Sequence, residues 1–298
     1  MEAARPRKVV LVSRDEYKQS RLREEYSSKR WAGLLRWILA DVRDLDRMRR
    51  VVKDADYVIH AAAMKRIESI DYNPDEAVGI NVVGTSNVGR ACYESERVKR
   101  AVFLGTDKAV YPINTYGRTK AVAEDLWRSF NFHKPIFTAV RYGNVMGSRG
   151  SVLEVYKRMI DSAEMELPVT DPSVTRFWMT PYQAADMAIW ALKETPGVTL
   201  VAKSRSFRLG DLAMVMSTAA PKITGLPSTE KQAECMLTKY EAVRTYLDKR
   251  WYRMAPERQY DERTMYNPDM VVPLEAKDIT SDDDVMNPEE VKEALAKV

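Results

Sequence analysis

Five short apolar runs recur through the first half of the chain: "KVVLVS" (8–13), "WILA" (37–40), "YVIHAAA" (57–63), "AVFLG" (101–105) and "FTAVRYG" (137–143). Longer amphipathic stretches separate them, at 15–27, 44–54, 75–97 and 115–131. A strand that is apolar on nearly every residue must be covered on both faces, and neighbouring parallel strands need a long, usually helical, crossover. The alternation therefore predicts an α/β fold, a doubly wound parallel sheet with helices on both sides. Beyond residue 150 the rhythm loosens. Helices are expected near 152–163, 181–194 and 209–219, and a strand at "VTLVA" (198–202). The expected division is a sheet domain over 1–150, receiving part of 175–205, and a smaller substrate lobe with a polar tail over 151–298.

Composition narrows the function classes. Lys and Arg total 47 against 43 Asp and Glu, a net charge of +4, with the two signs interspersed. Such a balance does not ask for nucleic acid, though it suits a small anionic substrate. "RDLDRMRR" (43–50) reads as a solvated helix face. Two distant cysteines, Cys92 and Cys235, form no disulfide framework and fit a reducing cytoplasm. With only His60 and His133, a histidine-ligated metal site is not expected. No apolar run of 18 residues or signal-peptide core is present, so no membrane role is expected.

In sheets of this kind ligands bind beyond the carboxyl ends of the strands. Three chemically loaded stretches fall there: "HAAAMK" (60–65), "GTDK" (105–108) and "RYGNVMGSRGS" (141–151). Tyr116 and Lys120 stand four apart in a predicted helix, so both share one face, about 5–6 Å apart at Cβ. A nearby ammonium favours the phenolate, which can then take a proton from a sugar hydroxyl. Thr106 supplies a hydroxyl to orient the substrate oxygen. Asp107 and Lys108 add an acid and a base that simple alcohol oxidation does not need. Elimination of water beside a new ketone needs such a pair. The competing reading is an ion pair capping a turn. His60 is expected to end a strand and bond to backbone, His133 to lie at the surface, and Trp178 to stack on a base or pack in the core.

"GTDKAVYPINTYGRTK" (105–120) and "RYGNVMGSRGSV" (141–152) resemble "STDKA.NPINLYGATK" and "RYGNVVGSRGSV", signatures of the inverting UDP-N-acetylglucosamine 4,6-dehydratases, extended short-chain dehydrogenase/reductases of polysaccharide biosynthesis. The likeness continues through "SRDEYKQ" (13–19), "DVRD" (41–44), "NPDEAVGINVVGTSNV" (73–88) and "VTRFWMT" (174–180), covering about residues 8–236. It implies a Rossmann-like fold, NADP, a UDP-sugar substrate and a homo-oligomer. It implies Lys108 as the C-5 base, Asp107 as the acid for the leaving hydroxyl, Thr106 as an orienting group, and Tyr116 with Lys120 as the redox pair. Ser13, Arg14 and Lys18 match the grip on the cofactor's 2′-phosphate, and a site for the unphosphorylated cofactor would want a carboxylate there instead. Asp41 and Val42 match the adenine wall, with Ala61 also on the cofactor side. Lys65, Asn144, Arg149, Gly150, Ser151, Thr170, Arg176, Glu230 and Lys231 match the substrate side.

Two departures stand out. The family opens with a strand, "TGGTGSFG" and a helix, whereas "MEAARPRKVV" lines up with the segment leading into the family's second strand. The strands at 8–13 and 57–61 are then expected to lose a shared neighbour, together with backbone donors for the cofactor pyrophosphate. Second, "GLPSTEKQAE" (225–234) replaces "GIRPGEKLHE", keeping Glu230, Lys231 and Glu234. Two alternatives stay open, a sugar-nucleotide 4-epimerase and a shortened, non-catalytic relative.

Overall fold

A computed structural model of the chain describes residues 6–131, 134–248, 250–256 and 274–298. Helices and strands follow the apolar rhythm. Val9–Ser13 (β1), Glu16–Tyr26 (α1), Leu35–Leu39 (β2), Leu45–Val52 (α2) and Tyr57–His60 (β3) alternate as expected. Asp15 and Asp44 cap α1 and α2 by accepting the backbone N–H three residues on. After Ile67–Tyr72 (α3), the helix expected over 75–97 forms as one continuous stretch ending at Tyr93: Pro74–Ala77 (α4), a wide π turn over Val78–Val83 and Gly84–Tyr93 (α5). The π turn is where Asn81 leaves the helix face: its side chain accepts from Met64 N at 2.8 Å and donates to Met64 O and Thr119 Oγ1, each at 3.0 Å.

Arg100–Leu104 (β4), Thr115–Ser129 (α6) and Ile136–Arg141 (β5) follow, then Asn144–Val145 (β6), Val152–Asp161 (α7), Pro168–Val169 (β7), Thr175–Met179 (β8) and Pro181–Ala191 (α8). The rest comprises Thr199–Ala202 (β9), Ser206–Arg208 (β10), Leu209–Met216 (α9), Lys222–Ile223 (β11), Cys235–Leu237 (β12), Lys239–Ala242 (α10), Thr245–Leu247 (β13), Trp251–Met254 (β14), Ile279–Thr280 (β15) and Pro288–Leu295 (α11).

The main sheet has the order β13-β14-β9-β5-β4-β3, parallel from β3 to β9 and antiparallel at its β14 and β13 edge. Met48 of α2, Val88 of α5 and Trp127 of α6 pack with Phe103 and Phe137 on one face. Met187 and Ala191 of α8 pack with Val102, Val140 and Leu200 on the other. Helices therefore cover both faces, as the apolar strands require. Among the described residues β1 pairs only with β2, and β3 only with β4. The two open edges expected from the sequence are present, and Val10, Tyr57 and Ile59 are exposed on them. A second core joins α7, α9 and α11 to Trp178 and Phe207. Trp178 lies edge-on to Phe207 at 5.4 Å, so it is a core residue rather than a stacking platform. His60 is buried, stacks on Trp127 and bonds to Thr85 Oγ1 at 3.0 Å, a side chain rather than the expected backbone. Burial brings its pKa down to about 3, so it stays neutral. His133 lies outside the described residues.

Candidate active site

The site begins where β4 stops. Gly105 N donates to Val140 O at 2.7 Å and Asp107 N to Tyr142 O at 3.1 Å, which holds the chain beside the end of β5 for three residues past β4. The turn then closes on itself. Thr106 Oγ1 accepts from Lys108 N at 3.3 Å and donates to Asp107 Oδ1 at 3.0 Å. Asn114 caps α6 by accepting from Gly117 N at 2.9 Å, placing Tyr116 in the first helical turn, back over residues 106–108. Glycine is required at 117 because a Cβ there would overlap the carbonyl oxygen of Lys108.

This folding brings two buried carboxylates onto one ammonium. Lys108 Nζ lies 3.2 Å from Asp107 Oδ1, 3.2 Å from Glu234 Oε1 and 3.3 Å from Asn144 Oδ1. All three of its N–H donors thus have acceptors. Burial works against the charge, but Asp107 and Glu234 outweigh it and hold Lys108 above the ordinary lysine range. Asp107 is fully buried, and burial lifts its carboxyl above the usual range despite the opposing pull of Lys108. Its Oδ2 has no hydrogen-bond partner and faces Gly143, where a Cβ would come within 3.1 Å. Glu234 is opposed by burial, yet Lys108, Lys231 and Arg176 bring it down to about 2.

Tyr116 and Lys120 share the helix face, but their environments differ from the expected mutual pairing. Burial raises the Tyr116 phenol, and the cation that pulls it back is Lys108, with a hydrogen bond to Thr106 assisting. Lys120 Nζ instead donates to Leu104 O at 2.8 Å and lies 3.9 Å from the centre of the Phe103 ring. Burial brings Lys120 down to about 7, so near neutral pH it carries only part of the charge expected to activate the tyrosine.

On the substrate side, Arg176 is buried on β8 and engaged by Glu230 Oε1 at 2.6 Å and Lys231 O at 2.9 Å. Lys231 Nζ donates to Val110 O at 2.7 Å and Glu234 Oε2 at 3.2 Å, and Asn114 Nδ2 to Thr229 O at 2.9 Å. The 229–234 segment is therefore bolted to the 106–114 stretch, with Arg176 serving that tie rather than standing free. Arg149, Gly150 and Ser151 form the rim before α7, which Ser151 caps. Gly150 adopts φ +74°, a conformation that favours glycine. Thr170 carries a buried hydroxyl without a partner. Lys65 is exposed, with Lys18 and Glu154 as charged neighbours.

On the cofactor side, Ser13 ends β1 and Arg14 lies 3.7 Å from Asp41, whose carboxylate is gripped by Arg43 at 2.7 Å. Lys18 is exposed on α1, Val42 packs against Gly84, and Ala61 is exposed past β3. These residues expected on the cofactor side thus lie at or past the ends of β1, β2 and β3 and on α1, while a glycine-rich turn is not found among the described residues. Glu234, Asn114 and Asn81 were not among the candidates drawn from the sequence. Only the retained Glu230-Lys231-Glu234 spacing pointed towards the first.

The family model described as "Polysaccharide biosynthesis protein" matches residues 1–256. The chain belongs to that family. It is 34% identical over 269 residues to a UDP-N-acetylglucosamine 4,6-dehydratase (inverting) of Campylobacter jejuni subsp. jejuni serotype O:2, covering 88% of this chain and 79% of that one. A UDP-glucose 4-epimerase of Rickettsia bellii is 37% identical over 191 residues, covering 63% of this chain and 54% of the other. Among solved structures, Pen from Bacillus thuringiensis superposes with a TM-score of 0.88 at 33% identity, covering 98% of this chain and 90% of that chain. DesIV, a dTDP-glucose 4,6-dehydratase of Streptomyces venezuelae solved with NAD, shares the fold at a TM-score of 0.68, 15% identity and coverage of 77% and 79%. These likenesses agree with the Rossmann-like reading of the sheet. No helix among the described residues is long and apolar enough to cross a membrane.

Proposed function

We propose that the chain is a sugar-nucleotide 4,6-dehydratase that acts on a UDP-N-acetylhexosamine, with UDP-N-acetylglucosamine the leading candidate, and inverts C-5. The observation that carries this reading is the buried Asp107–Lys108 pair, 3.2 Å apart and beside Thr106 and Tyr116. A 4-epimerase has no use for such a pair. A nicotinamide cofactor, when bound, would supply oxidation at C-4 and reduction at C-6. Ser13, Arg14 and Lys18 favour NADP, through a 2′-phosphate, and Tyr116 and Lys120 lie at the ribose end.

The residues of the chain account for the proton movements. Tyr116 acts from its phenolate form, which the Lys108 ammonium and the Thr106 hydrogen bond favour against burial, and takes the proton of the C-4 hydroxyl, which Thr106 orients. Lys108 begins as an ammonium. Transfer of one proton from its Nζ to Asp107 Oδ1 turns the ion pair into a free amine and a carboxylic acid, and the burial that lifts Asp107 favours this state. The amine then takes the C-5 proton while Asp107 gives its proton to the C-6 hydroxyl, which leaves as water. The pair returns to its starting charges. As C-6 is reduced, C-5 must receive a proton on the face opposite the one Lys108 deprotonated; the Tyr116 phenol holds the proton taken from the C-4 hydroxyl and returns it there, which restores the phenolate. The product is a 4-keto-6-deoxy amino sugar of the kind used for surface glycans or pseudaminic-acid-type sugars, and a homo-oligomer in the cytoplasm is the expected setting.

The test uses cofactor-loaded protein. Lys108→Ala should still reduce bound cofactor on addition of UDP-N-acetylglucosamine, but lose solvent-deuterium exchange at C-5 by about 10²- to 10⁴-fold. Tyr116→Phe should stop both. Dehydration by Lys108→Ala at near the parent rate would remove the elimination role and return the turn to a structural one.

A further inference from the structure

Glu234 lies far along the chain from Lys108, on the stretch entering β12, yet its carboxylate is 3% exposed and bridges two lysines. Its backbone N accepts no place in a strand ladder; it donates to Ser281 Oγ at 2.9 Å, and Ser281 N donates back to Glu234 O at 2.9 Å. Lys231, held by Val110 O, fixes the other carboxylate oxygen. A buried carboxylate anchored on three sides is placed where it is by the fold and does not drift onto Lys108 by chance.

We propose that Glu234 is a positioning residue that restrains proton transfer within the Asp107–Lys108 pair, holding Lys108 as an ammonium aimed between Asp107 and Asn144. This rests on the dehydratase reading for its use but not for its existence. The groups facing Lys108 are Asp107 on its own turn, Tyr116 from α6, Asn144 from β6, Arg176 from β8, and Glu234 with Lys231 behind it. Of these, Asp107 is the acceptor that elimination needs. Glu234 is the second anion, and it opposes loss of the proton. Asn144 is neutral. Removing the Glu234 charge therefore frees the amine, whereas removing Asp107 removes the acid as well.

The experiment follows the Lys108 side-chain resonance of ¹³C-lysine-labelled protein against pH, assigned by its loss in Lys108→Ala, in the parent and in Glu234→Gln. An opposite charge within 4–6 Å shifts such a group by about 1 to 3 pH units. The parent resonance should hold its ammonium position through pH 10.5, while Glu234→Gln should titrate at least about tenfold more readily. If Glu234→Gln does not fold, as judged by its thermal transition, Glu234→Asp, which draws the carboxylate back from Nζ, should shift the titration in the same direction by a smaller amount. An unchanged midpoint in the folded variant overturns the proposal. The two readings fail separately. Loaded parent protein that never dehydrates a UDP-sugar sinks the dehydratase assignment, while a shifted Lys108 titration still supports the Glu234 restraint. If dehydration is present, the pH profile of C-5 exchange should move with the titration, which a merely structural role would not cause.

Discussion

Lys120 is the residue whose burial should be most visible in bulk stability. It is 4% exposed, with its amine on a carbonyl and an aromatic face rather than on a carboxylate. Burial brings it to about 7 from an ordinary 10.5. At about 1.4 kcal/mol per pH unit, that span amounts to about 4 to 5 kcal/mol against the folded state. Below pH 7 both folded and unfolded chains carry the proton, and the full penalty applies. Between about 7 and 10.5 the unfolded chain binds the proton and the folded chain does not, so stability rises with pH. Above that window the contribution vanishes.

Lys120→Met removes the titrating group and forfeits a hydrogen bond worth about 1 kcal/mol. The variant should therefore be more stable than the parent by about 2 to 4 kcal/mol at pH 7, and the gap should shrink by about 3 kcal/mol by pH 10. Urea unfolding of both proteins at pH 7, 8.5 and 10 reads this directly, because other titrating groups cancel in the difference. A gap that does not change with pH would refute the argument. It would show that Lys120 keeps its proton, which would restore it as a charged partner for Tyr116. The same substitution should abolish cofactor-dependent activity, a case of stability given up at a working site.

Three further outcomes are expected. Arg141 is buried between Glu124 at 2.8 Å and Glu241 at 2.9 Å, tying α6 to the segment before β13; Arg141→Met should destabilise by about 3 to 5 kcal/mol because two carboxylates lose their buried partner, read by urea titration. Gly117→Ala should displace the 106–108 turn, costing about 1 to 3 kcal/mol and collapsing C-5 exchange together with stability; a variant with the parent's melting temperature and exchange rate would show that the turn has room. Arg14→Ala should weaken binding of the 2′-phosphorylated dinucleotide more than of the unphosphorylated one, measured calorimetrically, and equal losses would remove Arg14 from phosphate recognition.

The sequence by itself determined the layered α/β architecture, because strands apolar on nearly every residue and amphipathic crossovers of this length have few other ways to bury their surface. It also grouped the proposed catalytic residues, since Thr106, Asp107, Lys108 and Tyr116 are carried by one turn and the first turn of one helix, and local spacing is legible in a one-dimensional string. The open edges of β1 and β3 were implied by the family resemblance, whose opening strand has no counterpart in this sequence. What the tertiary structure decided were the charges. The expectation that Lys120 would act as an ammonium beside Tyr116 came from i, i+4 spacing, which cannot report that Phe103 and the Leu104 carbonyl receive the amine instead. The π turn inside the helix expected over 75–97 places Asn81 against Met64 and Thr119, partners that periodicity does not record. Glu234 reaches Lys108 only because the 229–234 segment folds back onto the catalytic turn through Asn114, Val110 and Arg176. Protonation states depend on which groups share a buried volume, and that is settled by contacts between residues distant in the chain.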